Sequence, residues 1–138
     1  MRPLVFLVPS ALITACAPAL RAPGPVVPVV RPTVVAYFPV TQAELDRNQD
    51  TSEAYSDFQF YASRMREPLE KAGIDFRVIT EKSFTLKESE TSREVRPKRA
   101  VVSYYLIAQG KQPRIQEGVM TDVDLFDLVQ KYFGIIVK

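Results

Sequence analysis

The side chains able to carry chemistry in this 138-residue chain are of few kinds, because it has no histidine and one cysteine. Without imidazole, a Ser-His-Asp triad, a Cys-His dyad and a histidine metal site are all excluded. A single cysteine also excludes an internal disulfide and a C-x-x-C redox pair. Hydroxyl, phenol, carboxylate and basic side chains remain as candidates for binding or catalysis.

One local cluster of basic residues stands out, formed by Arg93, Arg96, Lys98 and Arg99. Near a membrane such a cluster can contact lipid phosphates or an acidic partner, at ~1 kcal/mol per charge. The alternative is a solvated loop balanced by neighbouring glutamates, since charge runs are usually only solvating. Over the whole chain, 18 basic and 16 acidic residues leave a net charge of +2. We therefore expect no nucleic-acid partner, and we take Arg96, Lys98 and Arg99 as candidate binding residues.

A second candidate site is a predicted helix start within residues 41–52. Asp50 is expected to cap this helix while Glu53 reaches back to the cap. Backbone N–H groups at such a helix start can bind an anion. The alternative is that Asp50 and Glu53 already occupy those donors. The candidate binding residues in this segment are Thr41, Asp50, Thr51 and Ser52.

Other suggestive residues have simpler explanations. In the pair Tyr104 and Tyr105, one phenol falls on each face of a predicted strand. Tyr104 is a candidate groove residue, although core packing with a satisfied hydroxyl is the simpler explanation for the pair. Asp122 and Asp124 fit a helix cap and a dipole partner better than a metal pair. We expect no metal, no cofactor and no catalytic residue.

The first fifteen residues have the pattern of an export signal. Met1 and Arg2 give a short positive start, and residues 3–14 are apolar apart from one serine and one threonine. The small residue Ala15 stands immediately before Cys16. The alternative is a signal anchor, because residues 3–20 carry no charge and reach the length that can just span a bilayer.

The sequence Ile13-Thr14-Ala15-Cys16 resembles the lipobox of bacterial lipoproteins, with Ile13 in place of the usual leucine. The resemblance implies cleavage between Ala15 and Cys16, diacylglycerol on the cysteine sulfur and an acyl chain such as palmitate on the new amino group. Ala17 after the cysteine implies sorting to the outer membrane, with the domain facing the periplasm. Anchoring by two or more acyl chains is durable.

Residues 17–32 contain five prolines and no acidic residue, which favours an extended polyproline II segment. Fully extended, this segment would reach about 50 Å at ~3.1 Å per residue. Its valine pairs are apolar enough for part of it to lie against the domain. The predicted organisation is a signal peptide over 1–15, a lipidated cysteine and tether over 16–32, and a folded domain over 33–138.

Periodicity predicts the elements of the folded domain. Strands are predicted at 33–38, 74–80, 100–108 and 113–119, with a short edge strand at 83–87 and a charged, solvated loop at 88–99. A helix kinked at Pro68 should end at Gly73. Its apolar stripe is Tyr55, Phe58, Ala62, Met65 and Leu69. A last helix should be capped near Thr121 and end at Gly134, with Val123, Phe126, Val129, Tyr132 and Phe133 as its apolar face.

This order predicts an α/β domain with a four-stranded mixed sheet and two main helices. Over residues 33–134 it resembles the minimal thioredoxin-like fold, including the proline inside the long helix. The family's C-x-x-C would fall at Phe60-Tyr61-Ala62-Ser63, which has no thiol, and its cis-proline would fall near Val102. The resemblance therefore implies no redox function.

The functional prediction is a redox-inactive binding or adaptor domain, held on the membrane by Cys16 and contacting another envelope protein. Two alternatives stay open. One is a non-redox enzyme or small-ligand binder on the same scaffold, which would need a cleft with a carboxylate or lysine of strongly perturbed pKa. The other is a structural spacer.

Overall fold

The computed structural model describes residues 24–138. These residues form seven strands and three helices. The strands are β1 (Val26–Pro28), β2 (Thr33–Tyr37), β3 (Asp75–Ile79), β4 (Phe84–Glu88), β5 (Thr91–Val95), β6 (Ser103–Ile107) and β7 (Arg114–Glu117). The helices are α1 (Gln42–Arg47), α2 (Gln49–Lys71) and α3 (Asp122–Phe133). The fold is mixed α/β, as predicted.

The strands form two sheets. The central sheet has four strands in the order β3-β2-β6-β7, in which β2 is parallel to β3 and antiparallel to β6. β6 and β7 form an antiparallel pair. The second sheet has the order β1-β4-β5, with β1 parallel and β5 antiparallel to β4. The predicted sheet had four strands, and the three-stranded sheet is an addition that the prediction lacked.

The central sheet is buried on both faces. Val34 and Ala36 of β2 pack in the core shared with α2 and α3, whereas Val35 and Tyr37 pack in a second core shared with β1 and β4. Successive side chains of a strand point to opposite faces, so every residue of β2 and of β6 is buried. This explains why both strands read as continuous apolar runs. The molecule has three layers: helices, central sheet and second sheet.

The long helix α2 carries the predicted stripe, of which Phe58, Ala62, Met65 and Leu69 are buried. Its start differs from the prediction. Asn48 is the cap, and its side chain accepts a hydrogen bond from the Thr51 N–H at 3.1 Å. Asp50 lies inside the first turn, and Glu53 accepts from the Gln49 side chain instead of reaching back. The short helix α1 ends at Asn48, so one residue terminates one helix and begins the next.

The last helix begins and ends as predicted, with Thr121 as its cap and Gly134 in a left-handed conformation after it. The predicted apolar face is wrong in part. Leu125 and Val129 are the buried residues, whereas Val123 is 63% exposed. A helix with apolar residues on more than one side does not reveal from its own sequence which stripe faces the core.

The second sheet corrects two further predictions. Residues 88–99 are not a loop throughout, because Thr91–Val95 forms β5 and pairs with β4. The strand was missed because four of its five residues are exposed and polar, which leaves no apolar alternation to detect. β4 is the middle strand of its own sheet and not an edge strand.

The described part of the segment predicted as a tether is folded against the domain. Val26–Pro28 pairs with β4, and the side chains of Val27 and Val29 are buried in the second core. Two hydrogen bonds flank this pairing, from the Thr85 N–H to Pro25 and from the Val29 N–H to Lys87, both at 2.9 Å. The packed domain therefore includes residues from Gly24 onward.

Candidate functional site

An open cavity of about 1000 Å³ lies at the end of the central sheet where β2 and β3 finish. The two strands are parallel, so the loops that follow them emerge at the same edge. Ligands of open α/β sheets bind at this position, outside the carboxyl ends of the strands. The loop after β5, which leads to the antiparallel strand β6, reaches the same edge and completes the wall.

Four segments position the lining. Residues 39–41 follow β2, residues 80–83 follow β3 and residues 96–100 follow β5. Gly24 and Pro25 precede β1 and close the remaining side. A Cβ atom at Gly24 would lie 1.9 Å from the Ser83 carbonyl oxygen, so glycine is required where the two backbones meet.

The charged side chains of the lining are mostly basic. The cations are Lys82, Arg96, Lys98 and Arg99, and the anions are Glu44 and Glu81. Arg96 is held in place, because its Nε donates to Glu94 Oε1 at 2.7 Å and its Nη2 to the Ser83 hydroxyl at 3.4 Å. Glu44 and Glu81 each accept a hydrogen bond from a nearby backbone N–H, that of Thr41 and that of Thr80 respectively.

Thr41 and Glu44 form a capping box at the start of α1. The Thr41 N–H donates to Glu44 Oε2 at 2.7 Å, and the Glu44 N–H donates to the Thr41 hydroxyl at 3.2 Å. The backbone hydrogen bond from Thr41 lowers the pKa of Glu44. This carboxylate is therefore a weaker base than an ordinary glutamate.

The structure brings together half of the predicted binding residues. Thr41, Arg96, Lys98 and Arg99 all line the cavity. Asp50, Thr51 and Ser52 do not line it, because they lie in the first turn of α2, beyond α1. Asn48 and Glu44 already occupy amide donors at the two helix starts, whereas the alternative interpretation assigned this role to Asp50 and Glu53.

Tyr104 is a core residue and not a groove residue. It is fully buried on the helix face of the sheet, and its hydroxyl accepts a hydrogen bond from the Met120 N–H at 3.3 Å. Burial raises the pKa of this phenol. Tyr105 packs in the second core, so the two neighbours do point to opposite faces, as predicted.

Sequence reasoning missed the cavity residues of the 80–83 loop, including Lys82 and Ser83. A signal for them existed, because this loop directly follows a predicted strand parallel to β2, and such loops share one edge of the sheet. No comparable signal pointed to Gly24, since the strand that follows it has three residues.

Residues 24–138 contain neither a metal-binding cluster nor a membrane-spanning helix. No cluster of three or more potential ligands there could hold a metal ion. Asp122 pairs with Arg64 at 3.4 Å between Oδ2 and Nε, and Asp124 donates its N–H to the cap Thr121. No helix within this range is both long enough and apolar enough to cross a membrane. The lipobox prediction at Ala15 and Cys16 lies outside the described residues.

The chain matches no protein-family model, and neither a curated protein nor a solved structure is significantly similar to it.

Proposed function

We propose that the protein is a lipid-anchored, redox-inactive binding domain of the bacterial cell envelope, and that the cavity at the end of the central sheet is its binding site. One observation carries the proposal: a cavity of about 1000 Å³ whose walls come from four separate segments. Pockets for small molecules typically have ~300–1000 Å³ and combine shape with a few converging polar groups.

Binding is favoured over catalysis by the chemistry of the lining. A carboxylate serves best as a general base near neutral pH when its pKa is raised, whereas the hydrogen bond from the Thr41 N–H lowers the pKa of Glu44. The lining residues include hydroxyl groups but neither cysteine nor histidine. The phenol with the most strongly raised pKa, Tyr37 at about 12, is fully buried and does not line the cavity.

We propose a thioredoxin-like scaffold for this domain. The strand-helix-strand unit of β2, α2 and β3, followed by the β6-β7 hairpin and α3, supports it. The order β3-β2-β6-β7, with one parallel and two antiparallel pairs, is that of a mixed sheet built from such a unit. The second sheet departs from this minimal fold and supplies Gly24 and residues 96–100 to the cavity wall.

The anchor at Cys16 would place the domain on the outer membrane, facing the periplasm. Gly24 is the eighth residue after Cys16. At ~3.6 Å per residue or less, the linker spans at most about 29 Å. This is shorter than the ~50 Å of a tether that extends to Pro32, so the domain would stay close to the lipid surface.

The first test is crosslinking in cells, with membrane fractionation and mass spectrometry of the Cys16 peptide. We expect Cys16 to be lipidated and the Cys16→Ser protein to be absent from the membrane fraction. Ser10→Ala is the control, because it keeps the cysteine and should stay in the membrane fraction. A Cys16→Ser protein that remained membrane-bound would contradict the anchor. A recurrent, stoichiometric envelope protein in the crosslinks would favour the adaptor function over ligand binding at the cavity.

A further inference from the structure

We infer that the cavity binds a phosphate group, presented on a soluble phosphoester or on a lipid headgroup. This inference rests on the proposed function and specifies its ligand class. Its basis is the charge of one cavity, whose lining has four cations and two carboxylates that are already hydrogen-bonded to the protein. Arg96 and Arg99 also pair with carboxylates outside the lining. Lys82 and Lys98 form no ion pair within 4.0 Å in the described part of the chain.

The two carboxylates of the lining, Glu44 and Glu81, each accept a backbone hydrogen bond from the cavity wall. Glu44 Oε2 accepts from the Thr41 N–H at 2.7 Å, and Glu81 Oε2 accepts from the Thr80 N–H at 3.1 Å. A carboxylate that binds a backbone amide is stabilised where it is and does not need a cation as its partner. Lys82 also lies near enough to Glu44 to contribute to the lowered pKa of that carboxylate, but the two form no ion pair within 4.0 Å.

Two of the cations form no close ion pair within the described residues. Within residues 24–138, neither Lys82 nor Lys98 forms an ion pair with a carboxylate within 4.0 Å. Arg99 has a distant one, since its Nη2 lies 3.9 Å from Glu117 Oε2 and both side chains are mostly exposed. Exposed pairs contribute only ~0–1 kcal/mol, so a ligand can replace this contact at little cost.

Arg96 supplies a pre-oriented donor. Glu94 and Ser83 hold its Nε and Nη2, and the side chain is 33% exposed. A guanidinium has five N–H donors in a rigid plane, so donors remain for a ligand after these two contacts. Arginine and lysine together are the usual side chains for phosphate, the first binding its oxygens in a plane and the second acting as a point charge.

The position of the cavity brings a membrane source of phosphate within reach. Gly24 forms part of the wall, and the linker from Cys16 to Gly24 spans at most about 29 Å. A cavity this near the anchor can meet lipid headgroups as well as soluble phosphoesters. Both sources share the same recognised chemistry, so the experiment has one arm for each.

The first arm measures soluble ligands with the full chain carrying Cys16→Ser. Inorganic phosphate and glycerol 3-phosphate are titrated by calorimetry at low salt. We expect saturable binding that weakens about 10-fold or more in Lys82→Gln/Lys98→Gln, because two charged contacts are lost. The control pair Lys87→Gln/Lys131→Gln changes the net charge equally, at exposed positions outside the cavity lining, and should bind within about twofold of the parent.

The second arm measures flotation with phosphatidylcholine vesicles, with and without phosphatidylglycerol. Binding to the phosphatidylglycerol vesicles that depends on Lys82 and Lys98 would identify a headgroup as the source. Saturable binding of glycerol 3-phosphate without such vesicle binding would identify a soluble phosphoester. Either result supports the inference.

Two results would overturn it: no binding in either arm, or equal losses in the cavity pair and the control pair. Thermal unfolding of both double variants is measured in parallel, so that a folding defect is recognised. If the Lys82→Gln/Lys98→Gln variant does not fold, the single variants Lys82→Gln and Lys98→Gln are measured in its place. Because the protein used here lacks Cys16, failure of phosphate binding leaves the lipid anchor untouched. Failure of the anchor likewise leaves the first arm intact.

Discussion

The two faces of the central sheet are covered in different ways. On one face, α2 and α3 bury a core that includes Phe58, Met65 and Leu125. On the other, strands of three to five residues bury a smaller core centred on Phe84 and Tyr37. The helix face contains long periodic elements, whereas the strand face is assembled from a short hairpin, β4-β5, and one three-residue strand distant in the chain, β1.

Most of the lining of the candidate site comes from segments that flank the strands of the less conspicuous face. Gly24, Lys82 and Ser83 immediately precede β1 and β4, and Arg96 immediately follows β5. The helix layer contributes α1 residue Glu44 and its cap, Thr41. The helices therefore stabilise the sheet, and the segments that flank the strands of the second sheet form most of the cavity wall.

The largest expected effect tests whether the strand face is as integral as the helix face. Phe58→Ala and Phe84→Ala each remove a fully buried ring, and each should lower the free energy of unfolding by about 3–5 kcal/mol. Denaturant unfolding should remain one cooperative transition in both variants. Two separated transitions in Phe84→Ala, or a loss below ~1 kcal/mol, would mean that the second sheet is an appendage.

The next effect concerns the point where β1 joins the domain. Gly24→Ala places a methyl group 1.9 Å from the Ser83 carbonyl oxygen, and we expect a loss of about 1–3 kcal/mol. The Thr85 amide, which donates to Pro25, should exchange faster with solvent. Gly110→Ala is the control, because its methyl group meets nothing within 4 Å and its cost is only the strain of a side chain at a φ of +71°. At equal global stability, set by a low concentration of denaturant, exchange at Thr85 should be faster in Gly24→Ala than in Gly110→Ala, and equal rates would contradict the clash.

A smaller effect compares one tyrosine on each face. Tyr37 is fully buried, and its hydroxyl has no hydrogen-bond partner within the described part of the chain. Tyr37→Phe should therefore be neutral or stabilise by up to ~1 kcal/mol, whereas Tyr104→Phe removes the acceptor of the Met120 N–H and should destabilise by ~1 kcal/mol. Thermal melts of the two variants measure the difference. A loss in Tyr37→Phe as large as that in Tyr104→Phe would reveal a partner for the first hydroxyl.

The smallest effect appears only at alkaline pH. Burial raises the pKa of Tyr37 from 10.0 to about 12. Between these values the unfolded chain binds fewer protons than the folded one, so the free energy of unfolding falls as pH rises. Unfolding measured from about pH 9 to 12 should show a shallower fall in Tyr37→Phe than in the parent. An unchanged slope would mean that this phenol does not resist ionisation.

Much of the helix face could be predicted from sequence, because a period of about 3.6 residues is visible in α2 and continuous apolar runs are visible in β2 and β6. The strand face could not be. β1 has three residues and contains a proline, and β5 has an exposed polar pattern. β1 is a strand because β4, distant in the chain, offers it an edge, and such pairing leaves no local signal. β5 pairs with β4 across the two residues Ser89 and Glu90, which lack the Asn-Gly or Gly-rich signal of a tight hairpin.

The candidate site divides in the same way. Arg96, Lys98 and Arg99 were predictable because they are close in the chain and share a charge. Lys82 is isolated in sequence and reaches the cavity only through the folding of β3 and β4. Asp50 was a plausible cap by residue type, yet the cap is Asn48, two positions earlier, where α1 ends. A helix pair that shares a boundary residue shifts the start that a capping pattern predicts.

The proline in β1 has a consequence for self-association. Residues 25 and 29 bond to β4, so by the alternation of a strand Val26, Pro28 and Val30 turn their backbone groups towards the edge that β4 does not cover. Val26 and Val30 are 55% and 69% exposed, a combination that invites strands of other molecules to add on. Pro28 stands between them and has no N–H to donate. A second molecule therefore cannot extend a continuous ladder along this edge, which protects this edge of the second sheet from strand-by-strand aggregation where many copies are crowded together.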